Sequence, residues 1–156
     1  MSAPVNALVV AVSRQGVRPA IAESRLAEAA RVALRAEKVR HALISITLVT
    51  SPRIAALNGK HLNHRGPTDV ISFGFSRERG GPLVADIYIA PAVARENARR
   101  LGVGIREELV RLVVHGVLHA LGHDHPEGAA RFRSPMWLRQ EALVKRAMRR
   151  AMRRAA

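Results

Sequence analysis

The chain has 156 residues, enough for one compact domain with a real core and too few for two ordinary ones. Its composition, 48% apolar and 24% charged, excludes wholesale disorder, and the lack of cysteine excludes disulfides and thiolate metal sites, so any zinc must be held by histidine or carboxylate. Basic residues outnumber acidic ones 26 to 12, a net charge of +14, which draws the chain toward polyanions such as nucleic acid or acidic lipid.

Only Lys38, Lys60 and Lys145 are lysines. The rest of the excess is arginine, which pairs bidentately with phosphate and gives an RNA or DNA partner more weight than a merely solvated face. The first sixteen residues hold a short apolar run with no basic segment ahead of it, interrupted by Ser13 and Arg14; this reads as a strand over residues 5–12, not a signal peptide. No segment approaches the roughly 20 apolar residues that span a bilayer, so a soluble, cytoplasmic protein is expected.

Residues 22–38 have the apolar spacing of a helix (Leu26, Ala29, Ala30, Val32, Ala33) and residues 43–49 read as a strand, giving a β-α-β opening. Ser51 before Pro52 caps a short helix to about residue 62. Residues 68–75 and 83–90 are β-rich runs separated by a Gly-Gly-Pro turn, which predicts a hairpin or neighbouring strands. Pro91 opens a helix that ends near Gly102, and a longer helix runs from about Ile105 to Gly122. After a loop with Pro126 and Gly128, Ser134-Pro135 starts a last helix over residues 135–156. The expected architecture is mixed α/β: about four strands packed with about five helices in a single domain over residues 1–156, with metal-binding histidines on a central helix and the turn after it.

The chemistry concentrates in His115-Gly116-Val117-Leu118-His119-Ala120-Leu121-Gly122-His123-Asp124-His125. Residues four apart share a helical face, so His115 and His119 can point two imidazoles at one ion. On a continued helix His123 would stand about 12 Å up the axis from His115, too far for Zn–N bonds of about 2.0–2.1 Å. Gly122 resolves this, since glycine takes the left-handed conformation that ends a helix and turns the chain back. His125, or as the alternative His123, then completes the set. Asp124 reads either as a residue orienting a ligand imidazole or as a turn aspartate.

The spacing His-x3-His-x5-His is that of the metzincin zinc proteases. Those enzymes carry a general-base glutamate directly after the first histidine, where this chain has Gly116. Three neutral imidazoles leave a metal its full charge and an open position, enough to acidify water and polarise a phosphoryl oxygen without a carboxylate base.

The same histidine segment closely resembles the signature of the YbeY family of bacterial metallo-endoribonucleases. Leu57-Asn58 followed by Pro67-Thr68-Asp69-Val70-Ile71-Ser72-Phe73 resembles that family's strand region, and Ala85-Asp86-Ile87-Tyr88-Ile89 its Gly-Asp-Ile-x-Ile strand with alanine for glycine. The resemblance spans about residues 57–125. It implies a mixed α/β fold, zinc on His115, His119 and His125, one ion per chain, a cytoplasmic location, cleavage of single-stranded RNA, and a role in 16S rRNA 3′-end maturation and ribosome quality control. One position departs: the family arginine four residues after the asparagine, implicated in RNA cleavage, is Leu62 here. Arg65, Lys60 and His61 are the candidates to supply the missing charge, with Arg65 favoured because the Gly-Pro turn after it can project its guanidinium toward a phosphate.

In the last helix Lys145, Arg146, Arg149, Arg150, Arg153 and Arg154 recur in pairs, while Val144, Met148 and Met152 share a side with alanines. This basic amphipathic helix reads as an electrostatic arm for rRNA or the small ribosomal subunit, with a docked helix bearing a solvated arginine face, or a membrane-surface helix, as the alternatives. Two rival functions stand beside the endoribonuclease: a metallopeptidase, and a non-catalytic RNA-binding assembly factor with structural zinc.

Overall fold

The structure is a computed structural model and describes residues 7–18, 20–62, 68–75 and 80–155. The elements follow in the order β1 (Leu8–Arg14), α1 (Glu23–Ala36), β2 (Ala42–Leu48), α2 (Ser51–Leu62), β3 (Val70–Gly74), β4 (Leu83–Ile89), α3 (Pro91–Leu101), α4 (Ile105–Ala120) and α5 (Pro135–Ala155), with a 3-10 helix over Gly128–Arg133. The expected mixed α/β architecture is present. The strands form one sheet in the order β1-β2-β4-β3, with β1, β2 and β4 parallel and β3 antiparallel to β4. The neighbouring strands expected at residues 68–75 and 83–90 are this antiparallel pair.

Strand β4 shows how the sequence pattern sets the layers. Side chains alternate across a sheet, and Leu83, Ala85, Ile87 and Ile89 are buried while Val84, Asp86 and Tyr88 are half-buried. The buried set lies under α4. That helix buries Leu109, Val110, Leu112, Val113, Val114, Val117 and Leu118, a wide apolar surface suited to a surrounded helix, with its charged residues Arg106, Glu107, Glu108 and Arg111 confined to the first two turns. It packs against β3, β4, α1, α3 and α5. Each of its fully buried leucines and valines stabilises the fold by about 1.5–3 kcal/mol relative to exposure, so the helix that carries the first two histidines is firmly anchored. On the other face, α2 sets Ile54 and Leu57 against Ile71 of β3 and the partly buried Phe73 and Tyr88.

Strand β1 extends to Arg14, past the end of its apolar run. Its pairing with β2 continues through Ser13↔Thr47 and Arg14↔Leu48, and an edge strand tolerates polar side chains because its outer face meets water. Helix α1 stops at Ala36 because Lys38 takes φ 61°, with the Val39 N–H donating to Leu34 O at 2.9 Å. Glycine usually fills that position, so the lysine gives no warning in the sequence. The 3-10 helix at Gly128–Arg133 falls where the sequence reads as loop. At the start of α5 the Ser134 hydroxyl accepts from the Trp137 N–H at 3.2 Å, the expected cap.

Candidate metal centre

Helix α4 ends as its glycine predicts. Gly122 has φ 98°, and the His123 N–H donates back to Leu118 O at 3.0 Å while the Gly122 N–H donates to His119 O at 3.0 Å. The chain reverses and returns His125 to the helix end. Ligand atoms of His115, His119 and His125 lie within 4.8 Å of one another, and the ring centroids are 4.5, 5.1 and 5.3 Å apart. Among the described residues, no fourth histidine, cysteine or carboxylate joins the group.

Hydrogen bonds fix which nitrogens are available. The His115 Nδ1 stands 2.7 Å from Gln140 Oε1; because Gln140 Nε2 donates to Glu141 Oε2 at 3.2 Å, the amide oxygen faces the imidazole, Nδ1–H donates to it, and Nε2 keeps its lone pair. The His125 Nδ1 is 3.0 Å from Pro126 O, again leaving Nε2 free. Burial pushes His115 down to about 4, opposed by the Gln140 hydrogen bond and reinforced by its two histidine neighbours. Burial also lowers His119, with the adjacent His125 adding to the effect. Neutral imidazoles with free lone pairs are what a divalent metal requires, so this donor set fits a metal held by these three residues.

The alternative third ligand, His123, faces elsewhere: its Nε2 lies 3.4 Å from Glu37 Oε1 at the end of α1. Glu37 also accepts from Arg139 of α5 at 3.2 Å, so the loop beside the metal centre is tied to two helices. Asp124 is exposed and accepts from the His125 N–H at 2.9 Å. It holds the backbone of His125 rather than an imidazole.

Gly116 has a packing reason. A Cβ there would stand 2.9 Å from the Ile87 Cγ2 of β4, closer than carbon atoms approach, and Ile87 is fully buried. The position that bears the proteases' glutamate faces the sheet, and the Ser72 hydroxyl donates to Gly116 O at 2.8 Å to hold β3 against the same turn.

Gln140 escapes the sequence reading because it lies 25 residues from His115. The available signal is its place on the buried stripe Met136, Gln140, Leu143, Val144 and Ala147 of α5, where a polar residue needs a partner. Arg131 of the 3-10 helix is likewise unforeseen, and its charge acts on His115 and His119. Of the expected phosphate-binding residues, Lys60, Arg146, Arg149 and Arg150 are exposed, with Arg150 Nε 3.5 Å from Glu28. Arg65 and the side chains of His61, Leu62 and Arg153 lie outside the described residues.

A mixed four-stranded sheet under a central helix that ends in three convergent histidines defines an α/β protein with a tri-histidine group able to hold a metal ion. Residues 12–148 match the family model described as Endoribonuclease YbeY, and the chain belongs to that family. It is 33% identical over 124 residues to Endoribonuclease YbeY of Aquifex aeolicus, covering 79% of this chain and 80% of the relative. The proteins of the same name from Acidothermus cellulolyticus and Thermobifida fusca are 37% and 39% identical, covering 67% of this chain and 72% and 74% of theirs. A solution structure from Thermotoga maritima has the same fold, with TM-score 0.61 and 24% identity over 94% of this chain and 93% of that one.

Proposed function

We propose that the chain is a zinc-dependent endoribonuclease, a single metallo-hydrolase domain that cuts single-stranded RNA in 16S rRNA 3′-end maturation and ribosome quality control in the cytoplasm. The observation that carries this reading is the convergence of His115, His119 and His125 at the end of α4 with no carboxylate among them. When bound, zinc would supply a Lewis acid able to acidify water and polarise a phosphoryl oxygen. The chain's own residues orient the donors: Gln140 fixes the His115 tautomer, the Pro126 carbonyl fixes His125, and Asp124 holds the turn that presents it.

A metallopeptidase is disfavoured because position 116 is sealed against Ile87 and cannot present a base. Structural zinc is disfavoured because such sites are closed by four protein ligands, and three converge here among the described residues. Arg65 takes the place of the family arginine absent at Leu62, and Arg146, Arg149, Arg150 and Arg153 form an electrostatic arm toward rRNA and the small subunit. Arg65→Ala should then lower cleavage by about 10²-fold, as when one preorganised donor is lost, with folding and zinc content intact.

The test incubates metal-replete protein with labelled single-stranded RNA and, separately, with casein, with and without a chelator. RNA cut only in the absence of chelator, with casein intact, is the expected result. Casein cleavage, or no RNA cleavage, overturns the reading.

A further inference from the structure

Beside the metal centre lies a cavity of about 310 Å³ whose lining includes His115, Gln140, Arg131, Phe132, Trp137 and Asn97. Small-molecule pockets run from about 300 to 1,000 Å³, so this one suits a single planar ring and its immediate substituents. The chain has three Phe, one Tyr and one Trp in 156 residues, and two of these five rings stand at this one cavity. Phe132 is 47% exposed, yet it is held edge-to-face on Trp137 with centroids 4.8 Å apart and planes at 80°. A rigid, partly exposed aromatic pair is the platform on which unpaired bases stack.

The cations of the cavity are not equivalent. Arg111 is consumed by Glu107, Glu108 and Glu141 at 3.1, 3.1 and 2.9 Å, and Arg100 donates to Asn97. Arg131 has its guanidinium carbon 5.2 Å from the Phe132 ring centroid, and its buried Nε has no hydrogen-bond partner among the described residues. A buried guanidinium donor without a partner, beside an aromatic platform and a metal-ligand histidine, matches a site for a phosphate that joins one base to the next.

We propose that this cavity is a nucleotide subsite: the base next to the cleaved phosphodiester stacks on Phe132 and Trp137, and Arg131 holds its phosphate. The proposal deepens the reading of the chain as a single-strand RNA hydrolase and rests on it. A base must leave its helix to enter such a site, so the subsite selects unpaired RNA.

Trp137 is the only tryptophan, so its fluorescence reports on the subsite without reference to cleavage. Metal-loaded protein is titrated with a short 2′-O-methyl single strand, which resists cleavage, and with the same strand made abasic. The base-bearing strand should quench Trp137 and bind about tenfold more tightly than the abasic one. Phe132→Leu should remove that advantage and leave the abasic affinity unchanged, whereas Arg131→Gln should weaken both strands; zinc content and thermal midpoint show that each variant is folded. Equal affinity of the parent for both strands, or Phe132→Leu binding like the parent, overturns the subsite. Quenching with this pattern in a protein that cuts no RNA upholds nucleotide binding in the cavity, and refutes the hydrolase reading together with the cavity's place beside a cleaved bond. Cleavage by a parent whose Phe132→Leu variant binds and quenches identically refutes the subsite and leaves the hydrolase reading in place.

Discussion

The amide of Gln140 on α5 accepts a hydrogen bond from the Nδ1 of His115 on α4 at 2.7 Å, and it passes the constraint on through Nε2 to Glu141. Glu141 in turn takes two hydrogen bonds from Arg111, each 2.9 Å. His115, one of the three histidines able to hold a metal ion, is thus held by a chain of hydrogen bonds that ends in a largely buried arginine on its own helix. Gln140→Leu keeps the volume and removes the acceptor, freeing the imidazole to rotate or change tautomer. Partners of this kind typically contribute 10–100-fold in metal affinity, and competitive chelator titration should show a weakening in that range with little change in the circular dichroism spectrum.

Gly116 answers whether the peptidase base was simply lost. Gly116→Ala should destabilise by about 1–3 kcal/mol, the usual cost of overpacking, because the new methyl meets Ile87. Gly116→Glu should unfold far more readily in urea and gain no activity on casein, since the carboxylate would be buried against the sheet. A well-folded Gly116→Glu protein that hydrolyses casein would contradict the packing.

Acid should weaken the metal-free protein. Burial holds His115 at about 4 against an ordinary value of 6.5. Between those values the unfolded chain binds a proton that the folded chain refuses, so stability rises with pH there and falls as pH drops from about 6.5 toward 4. Urea midpoints of chelated protein at about pH 7 and pH 5 should show the loss, and His115→Gln should show less of it.

The tail makes a claim about salt. Leu143, Val144 and Ala147 are buried while Arg146, Arg149 and Arg150 are exposed, so α5 is docked along one side and basic on the other. If the exposed side meets phosphate, changing these three arginines to glutamine should flatten the dependence of RNA affinity on salt. The log–log slope should fall by up to about 0.7 for each arginine–phosphate pair removed from a single strand. An unchanged slope would leave the arginines as a solvated face.

The parts of the site visible in the sequence are those set by local rules. Two histidines one helical turn apart and a glycine that ends the helix depend on neighbours within ten residues, and the structure brings His115, His119 and His125 together. The strands are visible by alternation, and their ends are not: Arg14 stays in β1 because β2 continues beside it. What the sequence hides is long-range. Gln140, Arg131 and Phe132 reach the site only because α5 and the 3-10 helix fold back toward α4, and although a glutamine on the apolar stripe of α5 signals a need for a partner, nothing at positions 128–140 names that partner as His115. His123 differs from His125 only in where the turn aims it, toward Glu37.

On the proposed function, one metal on His115, His119 and His125 is what lets this protein cut RNA. Protein stripped by chelator and dialysed should be inactive on labelled single-stranded RNA, and its cleavage rate should rise with added zinc to a break at about one equivalent per chain, one ion filling one three-ligand site. His119→Ala should show no such rise. Cleavage that survives stripping, or that His119→Ala retains at the parent's rate, would contradict the account.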